Sequence, residues 1–132
     1  ASRLRNGNDV SLVATGVMVA RALKAAEELA DDGIEARVIN LSTIKPLDKE
    51  ELLSAARETG AILTAEDHNV LGGMGSAVAE LLAENHPIPM AFVGVRDRFG
   101  KSGEAEELAR LFGLTDKDIS KAARNVIARK KA

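Results

Sequence analysis

The sequence predicts one open α/β sandwich built on a mainly parallel β-sheet. Three observations carry that prediction. Short, nearly continuous apolar runs alternate with longer segments whose apolar residues recur at helical spacing. The first two helical segments each meet a glycine, Gly33 and Gly60, where a left-handed C-terminal cap is expected. The first three helical segments each join two strand-like runs, and such a crossover makes the strands parallel and the connection right-handed. The 132 residues have the length of one domain, 1–132, with no repeat, linker or low-complexity stretch.

The elements follow in order. "SRLR" near the start is a short edge strand, joined by the tight-turn composition "NGN" to the next run; the strand it pairs with need not be that next one. "DVSLVATG" (9–16) is apolar almost throughout, as a strand buried on both faces is. Over 17–32, Val19, Ala22, Leu23, Ala26, Leu29 and Ala30 form one helical stripe. "EARVINLS" (35–42) is the next strand. In "IKPLDKEELLSAARETG", Pro46 resists helix before it, Asp48 is the expected N-cap with Glu51 as its box partner, and Leu47 and Leu52 form the staple.

"AILTAED" (61–67) is a further strand. A glycine-rich turn leads from it into a helix with the stripe Met74, Ala77, Val78, Leu81 and Leu82. "IPMAFVGV" (88–95), set off by Pro87 and Pro89, is the last strand. Two helices close the chain. Ser102 caps the first, with the stripe Ala105, Leu108, Ala109 and Phe112 and the stop Gly113. Thr115 with Asp118, and Leu114 with Ile119, make the cap and staple of the second, whose stripe is Ile119, Ala122, Ala123, Val126 and Ile127. The terminal "ARKKA" reads as a solvated, frayed end whose charge suits the helix dipole.

Composition excludes several functions. A net charge of -2 supplies no overall positive field for nucleic acid or an anionic membrane. Three phenylalanines are too few for a base-stacking platform. With no cysteine there is no disulfide, thiolate zinc site or cysteine nucleophile, and a reducing cytosol suits the chain. No apolar run approaches the ~20 residues of a membrane span, and "ASRLRNGNDV" holds no signal-peptide core. The abrupt start fits a domain cut from a longer chain.

Ligands of open parallel sheets gather at the C-terminal ends of the strands, where the chain reverses its direction across the sheet. Two segments qualify, "ATGV" and "EDHNVLGGMG". The candidate crevice or interface residues are Thr15, Gly16, Asp67, His68, Asn69, Gly72 and Gly73. A glycine-rich helix start suits an anion. The dinucleotide fingerprint fails, however, because Val78 stands where its third glycine belongs, and no lysine follows in phosphate-loop spacing. The structural alternative is that Gly72, Gly73 and Gly75 supply positive-φ positions and close helix–strand packing.

Glu66, Asp67 and His68 form a cluster with acid–base potential, although neighbours on a strand point apart. His86 is too distant to share a metal with His68 by spacing. Ser76 and Ser102 lack the nucleophile-elbow pattern. Arg96, Arg98 and Lys101 in "RDRFGKSG" suit an anion or an ordinary charged loop. The residues alone therefore give a sandwich without a complete active site: no catalytic, cofactor-binding or metal residue is assigned.

In order along the chain, "DVSLVATGVMV", "PLDKEEL", "TAEDHNVLGGMGSAVAELL", "VGVRDRFGKSG" and "LARLFGLT" resemble the C-terminal domain of transketolase, most of all its short, split form in bacteria and archaea. The resemblance covers nearly the whole chain. Deoxyxylulose-phosphate synthases and the β subunits of 2-oxo-acid dehydrogenases share the domain but look less similar.

The resemblance implies a three-layer α/β/α sandwich around a five-stranded mixed sheet, with "SRLR" antiparallel at the edge beside "ARVIN". It implies an enzyme that transfers two-carbon ketol units between sugar phosphates, a step of the pentose phosphate pathway, with thiamine diphosphate and a divalent metal. The family holds that cofactor between a diphosphate-binding and a pyrimidine-binding domain. This chain has no "GDG" metal–diphosphate motif. The implied role is that of a non-catalytic structural and assembly domain. It binds no cofactor alone, is inactive alone, has those two domains as partners, and belongs to a cytoplasmic homodimer. The alternatives are a small-anion or nucleotide-binding regulatory module using the crevice, and a stand-alone enzyme using His68.

Overall fold

The computed structural model describes residues 1–42, 46–69, 73–95 and 114–130. Its strands are β1 (Ser2–Arg5), β2 (Val10–Ala14), β3 (Ala36–Asn40), β4 (Ile62–Asn69) and β5 (Met90–Val95). Its helices are α1 (Met18–Asp31), α2 (Lys49–Thr59), α3 (Met74–Asn85) and α4 (Asp116–Lys130). The five strands make one sheet in the order β1-β3-β2-β4-β5. β1 runs antiparallel to β3, and the pairs β2–β3, β2–β4 and β4–β5 are parallel. The mixed sheet with its antiparallel edge is the one expected.

Side-chain alternation along the strands sorts the core into two layers. Val10, Leu12 and Ala14 of β2 join Val38 and Leu63 beneath α1 and α4, where Ala22, Ala26, Leu29, Ile119, Ala123 and Val126 meet them. Val13, Ile39 and Ile62 face the other way, against Leu52, Ala55 and Ala56 of α2 and Met74, Val78 and Leu82 of α3. Every residue of β2 is buried, as a central strand covered on both faces must be. Each fully buried leucine or isoleucine contributes about 1.5–3 kcal/mol of transfer free energy. α1 also buries Met18 and Ala25, outside the expected stripe, while Val19 and Leu23 lie half-buried at its margin. The buried arc is wide because α1 packs against both the sheet and α4.

The caps follow local chemistry. Gly33 has φ 77°. Its N–H reaches Ala30 O and the Ile34 N–H reaches Leu29 O, both at 3.0 Å, the paired bonds of a Schellman stop. Gly60 caps α2 at φ 70°. Asp48 accepts the Glu51 N–H at 3.2 Å. The Glu51 carboxylate turns instead to the Arg3 guanidinium of β1, at 2.8–2.9 Å, because a charge-assisted contact outcompetes a neutral backbone donor. At α4 the box is reciprocal: Asp118 N–H donates to Thr115 Oγ1 at 3.2 Å and Thr115 N–H to Asp118 Oδ2 at 3.0 Å. Leu114 and Ile119 are both buried beside it.

The C-terminal expectation needs correction. α4 continues to Lys130, whose ammonium donates to the carbonyls of Asp9 and Thr59, each at 2.7 Å. Arg129 donates to Met90 O at 2.7 Å. Arg129 and Lys130 are thus held by backbone carbonyls rather than frayed, and 131–132 lie outside the described residues. The helix expected over 102–112 and the "RDRFGKSG" loop lie outside the described residues.

Candidate functional site

The chain runs from β2 to β3 on one side and then crosses to β4 on the other, so its direction across the sheet switches between β2 and β4. At that point Ala14 stands beside Ala65. The Thr15 N–H continues the ladder to Ala65 O at 3.2 Å. Gly16 then turns the chain at φ 56° with nothing within 4 Å of a would-be Cβ, so its demand is conformational and not spatial. Met18 N–H to Thr15 O and Val19 N–H to Gly16 O close the turn into α1. Val17, at the N-cap, is 64% exposed and offers no capping side chain.

The end of β4 supplies the other wall. Glu66 and Asp67 point to opposite faces: Glu66 is 1% exposed, whereas Asp67 is exposed. The backbone continues through His68 and Asn69, with a register irregularity after Ala65 that brings Asn69 opposite Val95. Gly72 and the side chains of His68 and Asn69 lie outside the described residues. The structure thus brings Thr15, Gly16 and Asp67 to neighbouring strand ends and makes Gly73 the N-cap of α3.

Glu66 separates from the acid–base cluster in which the sequence grouped it. Its carboxylate turns inward to the start of α3, where Oε1 accepts the Met74 N–H at 2.9 Å and Oε2 the Gly75 N–H at 2.7 Å. A carboxylate is stabilised there by two free N–H groups and the helix dipole. These are donors that an outside anion would need, and the protein's own side chain holds them.

The glycine expectation divides. Gly73 has φ -93° and Gly75 lies inside α3, so neither serves as a positive-φ position. Close packing is real at Gly75. A Cβ there would lie 2.9 Å from Phe92 Cδ1, 2.9 Å from Thr64 Oγ1 and 3.1 Å from Glu66 Oε2.

Other polar groups are structural. Arg37 is 2% exposed. It donates to Gly7 O, Asn8 Oδ1 and Glu58 Oε1 at 3.0–3.1 Å, which holds the β1–β2 turn. Ser11 and Thr59 hydrogen-bond at 3.0 Å under α2. No sequence pattern signals these buried groups; a buried arginine in a strand reads as surface. For Glu66 a weak signal existed, an acidic residue just before a glycine-bearing helix start.

A groove of about 460 Å³ runs between α1 and α4, lined in part by Glu28, Asp32, Lys117 and Arg124. Its charges pair internally: Lys117–Glu28 at 3.1 Å and Arg124–Asp32 at 2.6 Å. Nearby, hydrogen bonding with Asp116 and then burial raise the Glu28 carboxyl above its ordinary range, while the same hydrogen bond lowers Asp116. Among the described residues no group of three or more His, Asp or Glu is placed to hold a metal.

Comparison with known proteins completes the picture. The family model for "Transketolase, C-terminal domain" matches residues 1–119. A 6-deoxy-6-sulfo-D-fructose transketolase subunit of Clostridium sp. (strain MSTE9) is 55% identical over 130 residues, 98% of this chain and 40% of that protein. A 1-deoxy-D-xylulose-5-phosphate synthase of Geobacter sulfurreducens is 43% identical over 131 residues, 98% of this chain and 21% of that protein. Among solved structures, a split-gene transketolase described as an inactive β4 tetramer superposes with TM-score 0.94 and 47% identity, over 98% of this chain and 42% of that one. The chain therefore spans two fifths or less of the length of these curated relatives.

Proposed function

The chain belongs to the transketolase C-terminal domain family, and on that premise we propose that residues 1–132 are a single non-catalytic assembly domain of a thiamine diphosphate-dependent ketol-transferring enzyme. The observation that carries this reading is the end-to-end match to a split-gene transketolase subunit, 98% of this chain against 42% of that one. The remainder of such a subunit, and its partner, would supply the pyrimidine-binding and diphosphate-binding domains. Its role is to brace those domains and their homodimer, in the cytoplasm.

The start of α3 does not suit the diphosphate of thiamine diphosphate. The α3 N–H groups suited to a diphosphate are held by Glu66. No catalytic step is assigned to this chain. The substrate is proposed as a phosphorylated or similarly anionic sugar. The relatives carry names of sulfofructose and deoxyxylulose-phosphate enzymes, so the reading is not tied to the pentose phosphate pathway.

The test is turnover of xylulose 5-phosphate with ribose 5-phosphate by the purified chain, with thiamine diphosphate and magnesium supplied. The expected result is none above the blank; turnover that depends on the chain overturns the reading. A second reading, a small-anion or nucleotide module, draws on the uncapped start of α1, which has no acidic residue in its first turn. Under that reading millimolar phosphate or nucleotide raises the melting temperature; no rise at any concentration removes it.

A further inference from the structure

The turn between β1 and β2 contains the pair Asn6–Gly7. The chain has six asparagines, and only Asn6 is followed by glycine. That order matters chemically. The amide carbon of an asparagine side chain lies within reach of the next residue's backbone nitrogen, so attack is intramolecular. A side chain on the next residue obstructs it, and glycine has none.

The structure leaves this reaction open at Asn6. The residue is exposed. Among the described residues the Gly7 N–H makes no backbone hydrogen bond, so the attacking nitrogen is unengaged. The Arg3 guanidinium lies 3.5 Å from Asn6 Oδ1, where its charge favours the negative oxygen that develops during attack. The Asp32–Gly33 pair differs: there the Gly33 N–H is already bonded to Ala30 O at 3.0 Å. Packing also keeps glycine at position 7. A Cβ there would lie 2.5 Å from Ala36 C, 2.6 Å from Glu35 O and 2.7 Å from Arg37 N, all backbone atoms.

We propose that Asn6 is a site of spontaneous modification, deamidated through a succinimide formed with Gly7. The Gly7 nitrogen bonds to Asn6 Cγ, and its proton leaves with the side-chain nitrogen as ammonia. Water then adds to one of the two imide carbonyls. Opening one C–N bond restores the normal backbone, with aspartate at position 6. Opening the other routes the main chain through the side chain as isoaspartate, one methylene longer. Both products carry a new carboxylate, and no oxidant or cofactor takes part.

The consequence falls on Arg37. This guanidinium is 2% exposed and is held by Gly7 O at 3.0 Å and Asn8 Oδ1 at 3.1 Å. Its Nη1 has no partner among the described residues. A longer main chain at position 6 displaces Gly7 from its close seat on β3. A buried charge that loses its acceptors is strongly destabilising, so isoaspartate at position 6 lowers the melting temperature.

The experiment incubates the full-length protein that carries this domain at mildly alkaline pH, folded and in urea. Peptide mapping by mass spectrometry follows each asparagine, and methyltransferase labelling follows isoaspartate. In the folded protein Asn6 is expected to convert at least about tenfold faster than any other asparagine, and the aged protein to melt below the fresh one. Asn6→Gln, at an exposed position, should abolish both the label and the loss. If Asn6 converts only in urea, or no faster than the other asparagines, the fold protects it and the proposal is overturned. Conversion without a lower melting temperature overturns the effect on Arg37.

Discussion

The Lys130 ammonium donates at 2.7 Å to the carbonyl of Thr59, 71 residues earlier in the chain. A second bond of equal length reaches Asp9 O, 121 residues away. One side chain at the end of α4 thus ties the last residue of α2 to the residue just before β2. Charge-assisted hydrogen bonds of this kind contribute about 1.5–3 kcal/mol each when partly buried. Lys130→Met keeps most of the aliphatic stem and removes both donors. It is expected to cost about 3 kcal/mol or more in urea denaturation; no measurable loss refutes the tie.

The α4 cap offers a cleaner local test. Thr115 Oγ1 accepts the Asp118 N–H at 3.2 Å and donates to Asp118 Oδ2 at 2.6 Å. Thr115→Ala should cost about 1 kcal/mol, the usual loss for a removed N-cap. Thr115→Ser should recover most of it, because the hydroxyl and not the methyl makes the cap.

The Glu28–Asp116 pair gives a pH prediction. The folded-state pKa of Glu28 is raised, chiefly by its hydrogen bond with Asp116 and then by burial. Folding therefore takes up a proton here. The stabilisation is complete below the ordinary carboxylate range and is lost as pH rises through the raised pKa. Asp116 is lowered, first by that same hydrogen bond, so its share is lost as pH falls through its depressed value. Glu28→Gln imitates the protonated partner. It should raise the denaturation midpoint at about pH 8 and leave it unchanged at about pH 4. Equal midpoints at both pH values would show that the two carboxyls do not interact.

Gly16 and Gly75 should respond differently to alanine. At Gly16 space is open but φ is 56°, so the cost is backbone strain of about 1–2 kcal/mol. At Gly75 the backbone is helical, and the added methyl meets Thr64 and Phe92 at 2.9 Å. Overpacking there should cost about 1–3 kcal/mol. Alanine can be compared at both positions by the same urea titration; a neutral Gly75→Ala would contradict the close approach of α3 to the sheet.

Much of the fold is written in local chemistry. Gly33, Gly60, Asp48 and the Thr115–Asp118 box act on residues within a turn of themselves, so periodicity and cap residues reveal them. The antiparallel edge strand came from family resemblance, since nothing in "SRLR" names β3 as its partner. The switch in strand order falls between β2 and β4, and Thr15, Gly16 and Asp67 lie at neighbouring strand ends there. What sequence could not show are contacts that depend on the third dimension. Glu66 turns away from Asp67, Arg37 is buried around a turn 29–30 residues earlier, and Lys130 reaches across the sheet. Each is a charged side chain whose residue type suggests solvent, and whose burial is made tolerable by partners distant in the chain.

The central claim is that this domain holds an enzyme together without taking part in its chemistry. Sedimentation of the full-length enzyme with and without residues 1–132 tests it most directly. The account predicts that removal of the domain raises the dissociation constant by about tenfold or more. An unchanged dissociation constant after removal would contradict it.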